Sequence, residues 1–336
     1  MNNFYKILFT QSLIMGTLIA ISSYSWMSMW IGLEINLISM IPLLSSTKNI
    51  YPSEAAMKYF ITQAMASSIL LLSIIMSLNF NEFPQSLNNY LMMIMNSALL
   101  TKMGAAPFHF WFPEVMEGLN WMNSLLMLTW QKIAPFVLIM INSKMTLFIS
   151  IIIIITSMIG GIAGLNQTSM RKIMAFSSIN HIGWMLASTL NSQSIWIIYF
   201  SVYSIISINL ILIFKSLNIF MLSQFFNSSN SNKMIKFFFI LNFLSLGGLP
   251  PFLGFFPKWL TINNLILNNF FTLSLILIIS TLITLYFYLR ISFSSLTINS
   301  SESKIKSSTP KMFMIICSNF VTISGLIFCT MMFISF

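Results

Sequence analysis

Long apolar runs separated by short polar clusters make up the chain from end to end. Their lengths suit membrane-spanning helices of about 20 residues, and the polar clusters mark where each run ends. The pattern predicts eleven spans, near 3–22, 24–45, 55–79, 89–118, 121–143, 145–165, 172–190, 194–216, 235–267, 269–292 and 312–335. Ser45–Tyr51 and Asn79–Asn89 read as polar turns, Asn227–Lys236 as a loop, and Asn299–Lys311 is the most polar stretch. None is long enough for a soluble domain, so residues 1–336 read as one all-α polytopic membrane domain.

Segments 89–118 and 235–267 break the rhythm. Thirty residues of helix would be about 45 Å long, against a hydrocarbon core of roughly 30 Å. Each also carries helix breakers: Gly104 and Pro107 in the first, Gly248, Pro250 and Pro251 in the second. Proline removes a backbone donor and clashes with the turn before it. The pattern therefore predicts two discontinuous helices, with unwound backbone buried in protein or lining a wet cavity. The breaks align without gaps at an offset of 144 residues, from Gly104–Pro113 onto Gly248–Pro257, with five of ten positions identical. They fall in spans four and nine. Five spans apart, the copies run in opposite directions, which predicts an inverted-topology repeat of the kind found in transporters. Two unrelated kinks in a compositionally biased chain are the alternative.

Composition supports the membrane reading. Hydrophobic residues make up 57% of the chain and charged residues 7%, where a typical soluble domain has roughly 25% charged. There is no aspartate, and only two histidines and two cysteines, Cys317 and Cys329. That leaves little room for a metal centre, an iron–sulfur cluster or a catalytic triad. Phosphate-binding and dinucleotide-binding glycine motifs are absent. The net charge of +10 is spread singly between apolar runs, which argues for membrane topology over nucleic-acid binding.

The basic residues are strongly partitioned. With the N-terminus on the positive side, that side receives Lys6, Lys48, Lys58, Arg171, Lys172, Lys215, Lys233, Lys236, Arg290, Lys304, Lys306 and Lys311, and the other side only Lys144. This is the asymmetry of the positive-inside rule. Lys102, Lys132 and Lys258 remain, and all three fall inside apolar segments, as does Glu34. A charge at mid-membrane costs about 2.5–3.5 kcal/mol on insertion scales, so these four are the main candidates for function. Glu54 and Lys58 are spaced as a helical i,i+4 pair, whereas Glu114 and Glu117 are expected to be solvated or to pair with a neighbouring subunit. The dipole at the start of the half-helix after the second break disfavours a cation at Lys258.

Several blocks in order, GLEINLISMIPLL, EAAMKYFITQA, KMGAAPFHFWFPEVMEGL, WQKIAPF, GIAGLNQTSMRKIMAFSSINHIGWML and NFLSLGGLPPFLGFFPKW, carry a resemblance that runs from about Ser23 to Leu289. The chain resembles the subunit 2 family of mitochondrial NADH:ubiquinone oxidoreductase, respiratory complex I, with insect-like residue usage. The abundance of Met, Phe, Ile, Asn and Ser resembles translation from an AT-rich mitochondrial genome. The lack of a basic presequence fits synthesis inside the organelle. The resemblance implies an antiporter-like fold of two inverted five-helix repeats, residues 1–143 and 144–293, with 294–336 as a loop and a last helix.

By resemblance, Glu34 pairs with Lys102, Lys132 is the central proton-transfer lysine and Lys258 the terminal one. His109 and His181, the only side chains that titrate near neutrality when unperturbed, are candidates to bridge the lysines through water. Each has a structural alternative: a snorkelling or neutral carboxyl for Glu34, a fixed salt bridge for Lys102, and a lysine reaching the carbonyl freed by Pro135 for Lys132. For Lys258 it is an interfacial helix end, and for each histidine a satisfied core position. The family implies an inner-membrane subunit, and the partition of basic residues then puts the N-terminus in the matrix and the C-terminus in the intermembrane space. It would pass protons through an axial Lys/Glu/water relay, driven by quinone reduction elsewhere. The alternatives are a stand-alone cation/proton antiporter and an architectural subunit with no proton path. No cofactor is expected in this chain; FMN, iron–sulfur clusters and ubiquinone belong to other subunits. Expected partners are neighbouring antiporter-like and other membrane-arm subunits, accessory subunits and anionic phospholipid such as cardiolipin, with no nucleic acid.

Overall fold

A computed structural model describes residues 4–46, 49–79, 85–143, 145–229, 233–250, 252–297 and 319–320. These residues are helical almost throughout. The helices are α1 Phe4–Ser22, α2 Trp26–Leu44, α3 Ile50–Asn79, α4 Gln85–Met103, α5 Trp111–Gly118, α6 Trp121–Leu128, α7 Trp130–Ile141 and α8 Thr146–Gly164. They continue with α9 Met170–Thr189, α10 Gln193–Leu217, α11 Leu222–Ser229, α12 Lys233–Gly247, α13 Phe255–Leu267 and α14 Phe271–Thr297. Seven spans among the described residues are long and apolar enough to cross a membrane, α6 and α7 counting together as one of them. The chain forms two compact units, residues 1–155 and 156–336, that divide within α8.

The first unit is built on close helix contacts. Helices α1 and α2 cross where Gly16 meets Gly32: a Cβ on Gly32 would lie 2.6 Å from the Ala20 nitrogen and 2.8 Å from the Gly16 carbonyl oxygen. Small residues let apolar helices approach closely where no water-driven force presses them together. Helix α3 then packs on α2, α4 and α5, and α4 packs on α7. A reciprocal amide pair pins the last contact: Asn142 Nδ2 donates to Asn96 Oδ1 at 3.0 Å, and Asn96 Nδ2 donates to the Asn142 carbonyl at 3.3 Å.

The second unit is arranged around α9. Eighteen of its twenty residues are buried, including Ser177, Ser178, Asn180 and His181. Its polar residues keep its hydropathy low, yet it packs on α10, α13 and α14. A helix buried on all sides by other helices need not be apolar, provided its polar groups find partners. Gly160 of α8 permits one close approach, since a Cβ there would lie 2.6 Å from the Asn180 nitrogen.

The structure refines the expected segments in three places. Span 89–118 divides into α4 and α5, and span 235–267 into α12 and α13, as the breakers predicted. Span 121–143 also divides, at Thr129, which the sequence reading did not foresee. Thr129 has φ −114° and ψ −72°. Its hydroxyl donates to the Leu125 carbonyl at 2.8 Å, and its own carbonyl accepts a tight bond from Lys132 N–H at 3.2 Å. Pro135 in the second turn of α7 removes the donor that would reach Gln131. The polar stretch near Asn227 holds the short α11, held at its entry by one bridge between Ser169 and Met221. The eleventh predicted span, 312–335, lies outside the described residues apart from Asn319 and Phe320.

Gly32→Ala tests the α1–α2 crossing. The added methyl meets backbone and cannot be relieved by a rotamer change, so a loss of about 1–3 kcal/mol is expected. It should register as a lower midpoint in a thermal-aggregation assay of the detergent-extracted protein.

Candidate functional site

The two helix breaks share one backbone solution. Helix α4 ends at Gly104, φ +76°, and α12 ends at Gly248, φ +77°. Left-handed backbone of this kind is cheap only for glycine. Each end closes with the same wrap. Ala105 N–H donates to the Leu100 carbonyl at 3.0 Å, and Leu249 N–H to the Leu244 carbonyl at 3.4 Å. Both are Schellman-type caps. The following half-helices restart at Trp111 and Phe255, again 144 residues apart. The Ala106–Pro107 peptide is cis, Pro250 sits in an exposed turn, and Pro251 lies outside the described residues.

What covers the freed carbonyls differs between the breaks. At the first, neutral donors do it: Trp111 Nε1 donates to the Thr101 carbonyl at 3.0 Å and Gln63 Nε2 to the Lys102 carbonyl at 3.5 Å. At the second, an ammonium does it: Lys258 Nζ donates to the Leu246 carbonyl at 3.2 Å and the Gly247 carbonyl at 2.9 Å. This corrects the dipole expectation. Lys258 does stand in the first turn of α13, but its charge is directed at the negative end of α12, which favours a cation.

All three intramembrane lysines are buried: Lys102 to 7%, Lys132 to 1% and Lys258 to 7% exposure. Lys258 Nζ also lies 5.8 Å from the centre of the Trp184 ring. Lys132 Nζ lies 5.7 Å from the Phe112 ring, and the same phenylalanine packs against Gly104, where a Cβ would come within 3.1 Å. Lys132 thus rests on the residue that closes the first break. Lys102, in the last turn of α4, has no hydrogen-bond partner at Nζ. Glu34 is half-buried on α2 with Oε1 unbonded, and its charge acts on both Lys102 and Tyr59. The two form no ion pair here; the ion pairs among the described residues join Lys58 to Glu54 and to Glu114, each at 3.1 Å. Glu114 is largely exposed and also bridges α5 to α3 through Lys58.

Both histidines are buried. His109 sits in the first break with Nδ1 3.3 Å from the Pro107 carbonyl, its ring against Phe110. His181 sits on α9 with Nδ1 2.9 Å from the Tyr199 hydroxyl and its ring beside Tyr203. Two small cavities lie next to these groups. One, in the first unit, is lined by Asn36, Tyr59, Gln63, Lys102, Gln131 and Pro135 among others; the other, in the second unit, by His181, Tyr199, Tyr203, Ser245 and Leu246 among others. Each leaves about 10 Å³ for a water's centre, close to the minimum for one molecule. The sequence reading missed Asn36, Gln63, Gln131, Tyr59 and Tyr199. The available signal was an amide or hydroxyl in an apolar run next to a candidate charge, as Asn36 follows Glu34 and Gln131 precedes Lys132.

Comparison with known proteins places this geometry in context. Residues 23–284 match the family described as NADH:quinone oxidoreductase/Mrp antiporter, TM. NADH-ubiquinone oxidoreductase chain 2 of Anopheles gambiae is 50% identical over 99% of this chain and 98% of its own length. The chain 2 proteins of Locusta migratoria and Loxodonta africana are 47% and 38% identical, over 90% and 91% of this chain and 88% and 90% of theirs. In fold, the chain is similar to one of respiratory complex I from Thermus thermophilus, with TM-score 0.87, 21% identity and coverage of 96% of this chain and 78% of that one. A chain of the Mrp complex from Dietzia sp. follows with TM-score 0.78 and 17% identity, over 88% of this chain and 61% of that one.

Gly254→Ala probes the second break. The new Cβ would fall 1.7 Å from the Ser245 carbonyl oxygen, whereas at Gly247 the nearest atom is 3.6 Å away. Gly254→Ala should lower thermal stability by about 2 kcal/mol or more, and Gly247→Ala by well under half as much, in the same detergent melting assay.

Proposed function

From the premise that this chain belongs to the NADH:quinone oxidoreductase/Mrp antiporter family, we propose that it is a membrane-arm subunit of a mitochondrial NADH:ubiquinone oxidoreductase. Its work there is to carry protons across the inner membrane. The observation that carries this reading is the burial of three lysine ammoniums at or beside broken helices. A static membrane scaffold gains nothing from such groups, each of which costs about 2.5–3.5 kcal/mol to insert.

The mechanism rests on charge moving without redox chemistry. A lysine's hold on its proton weakens in an apolar site and strengthens beside a carboxylate or a helix C-terminus. Moving Glu34 toward or away from Lys102 therefore loads or unloads that lysine. Lys132 is the next carrier, with Phe112 as its neighbour. In the second unit Lys258 is the carrier, and His181 with Tyr199 offers hydroxyl and imidazole groups that can pass a proton through one water. Relay residues Glu34, Lys102, Lys132, His181 and Lys258, with His109 at the first break, make up the Lys/Glu/water path. Quinone reduction elsewhere in the complex drives it through electrostatic and conformational coupling. FMN, iron–sulfur clusters and ubiquinone are assigned to other subunits. The N-terminus is placed in the matrix. Neighbouring membrane-arm and accessory subunits cover the flanks. Anionic phospholipid such as cardiolipin faces the basic ends marked by Arg171, Lys172, Lys215 and Arg290.

The test is made in the assembled complex. Lys132→Met and Glu34→Gln should each cut the rate of quinone-coupled proton transport into a sealed vesicle at least about tenfold. NADH oxidation by a soluble artificial electron acceptor, which bypasses the membrane arm, should stay at the parental rate. Undiminished proton transport in both variants would remove these residues from the mechanism.

A further inference from the structure

Both arginines of the chain, Arg171 and Arg290, are anchored to one pair of facing turns in the second unit. The turn after α8 and the turn before α11 are joined through their backbones: Met170 N–H donates to the Phe220 carbonyl at 2.9 Å, and Leu222 N–H to the Thr168 carbonyl at 3.2 Å. Arg171 places its guanidinium carbon 4.7 Å from the centre of the Phe220 ring. Arg290, near the end of α14, donates from Nη2 to the Leu165 carbonyl at 2.7 Å. Beside that bond lies an open cleft of about 390 Å³, many times the roughly 30 Å³ share of one water. Asn166, Gln167, Thr168 and Arg290 give it a polar wall, and Leu222 and Ile291 an apolar one. Gln167 Nε2 donates to the Ala163 carbonyl at 3.2 Å. The polar rim is thus held in place by bonds within the chain, which lowers the cost of ordering it around a ligand.

We propose that this cleft holds the phosphate head of an anionic phospholipid, gripped by Arg290, with the first carbons of the lipid against Leu222 and Ile291. This rests on the membrane reading above, which puts anionic lipid at the basic ends in general, and gives that lipid one place. Charge complementarity argues for an anion. Arg171 and Lys172 open α9, Lys215 stands in the last turn of α10, and Arg290 reaches the turn that follows α8, so four cations gather at one end of these helices. No carboxylate of this chain falls among the described residues of the second unit. A guanidinium carries its N–H donors in a planar fork that matches two phosphate oxygens, and the Leu165 carbonyl engages only one Nη of Arg290. The surroundings argue for lipid. Tyr286, Arg290 and Phe293 share a face of α14 by their spacing, and all three are exposed. An exposed arginine between exposed aromatics in the last turns of a span is the pattern of the headgroup level. A free phosphate would use the guanidinium but leave the apolar wall wet.

The experiment follows amide hydrogen exchange in the intact complex, held in nanodiscs of phosphatidylcholine alone or of phosphatidylcholine mixed with phosphatidylglycerol. Anionic lipid should slow exchange across residues 166–168 at least about fivefold, the factor expected when a ligand stands at several times its dissociation constant. Inorganic phosphate added to phosphatidylcholine nanodiscs should not. Arg290→Gln should abolish the difference between the two lipids. Should that variant fail to assemble, Asn166→Glu carries the comparison: it keeps Arg290 and the Leu165 bond but sets a carboxylate where the phosphate would lie, and should abolish the difference too. Asn166→Gln should retain it. Equal exchange in the two lipids, full slowing by inorganic phosphate, or slowing that survives Asn166→Glu overturns the proposal. Faster exchange in Glu302→Gln than in the parent, in phosphatidylcholine alone, gives the cleft to this chain's own carboxylate and overturns it as well. Residues 213–218, around Lys215, separate the two levels. Slowing there without slowing at 166–168 defeats the cleft and leaves anionic lipid at the basic ends; slowing at neither place defeats both. None of these measurements depends on proton transport, so the relay stands or falls apart from them.

Discussion

The organising constraint is that unpaired carbonyls and unpaired ammoniums are both intolerable in an apolar medium, and here they are arranged to satisfy one another. Helix α12 stops in the middle of a bundle and exposes the carbonyls of Leu246 and Gly247; Lys258 brings an ammonium that needs acceptors. Neither would be stable alone. The left-handed glycine at the helix end turns the chain so that α13 places the lysine back across its own break, close enough that a Cβ on Gly248 would meet the Lys258 stem at 2.8 Å. Backbone geometry and charge are thus one device.

The first break shows what changes when neutral groups do the capping. Trp111 and Gln63 hold the Thr101 and Lys102 carbonyls, so the end of α4 keeps its hydrogen bonds whatever the charge on Lys102. That lysine is then free to answer to Glu34 and to the polar cavity beside it. Two copies of one backbone motif therefore support lysines of different character. One is hydrogen-bonded to the carbonyls of a helix end, and the other stands in the last turn of a helix with no hydrogen bond at its ammonium.

Much of this was legible in the sequence because membrane burial forces it into the open. A charge in an apolar run has few explanations, so Glu34, Lys102, Lys132 and Lys258 stood out, and glycine and proline in overlong runs marked both breaks. The residues that were not legible are those whose role depends on a partner from a distant helix. Asn36 and Gln131 look like ordinary polar residues until α2 and α7 are brought to one cavity, and Tyr199 acquires meaning only against His181. The Lys258 dipole argument failed for the same reason. It considered the helix that carries the lysine and not the helix the lysine reaches. The division of a span at Thr129 leaves no mark in hydropathy.

The distribution of acids gives the two units different electrostatic logic. No acidic residue occurs between Glu117 and Glu302, so through the described residues of the second unit no carboxylate of this chain is there to balance Lys258. Its charge is held by two carbonyls at one helix end and by the face of Trp184. A carboxylate counter-charge would follow its lysine by side-chain rotation. Backbone acceptors cannot. Any motion that parts the last turn of α12 from the first turn of α13 removes both acceptors together. In the first unit the equivalent change needs only a movement of the Glu34 carboxylate. In the relay proposed above, a side-chain swing near Lys102 and a shift between half-helices at Lys258 have the same outcome, a change in how firmly a buried lysine keeps its proton.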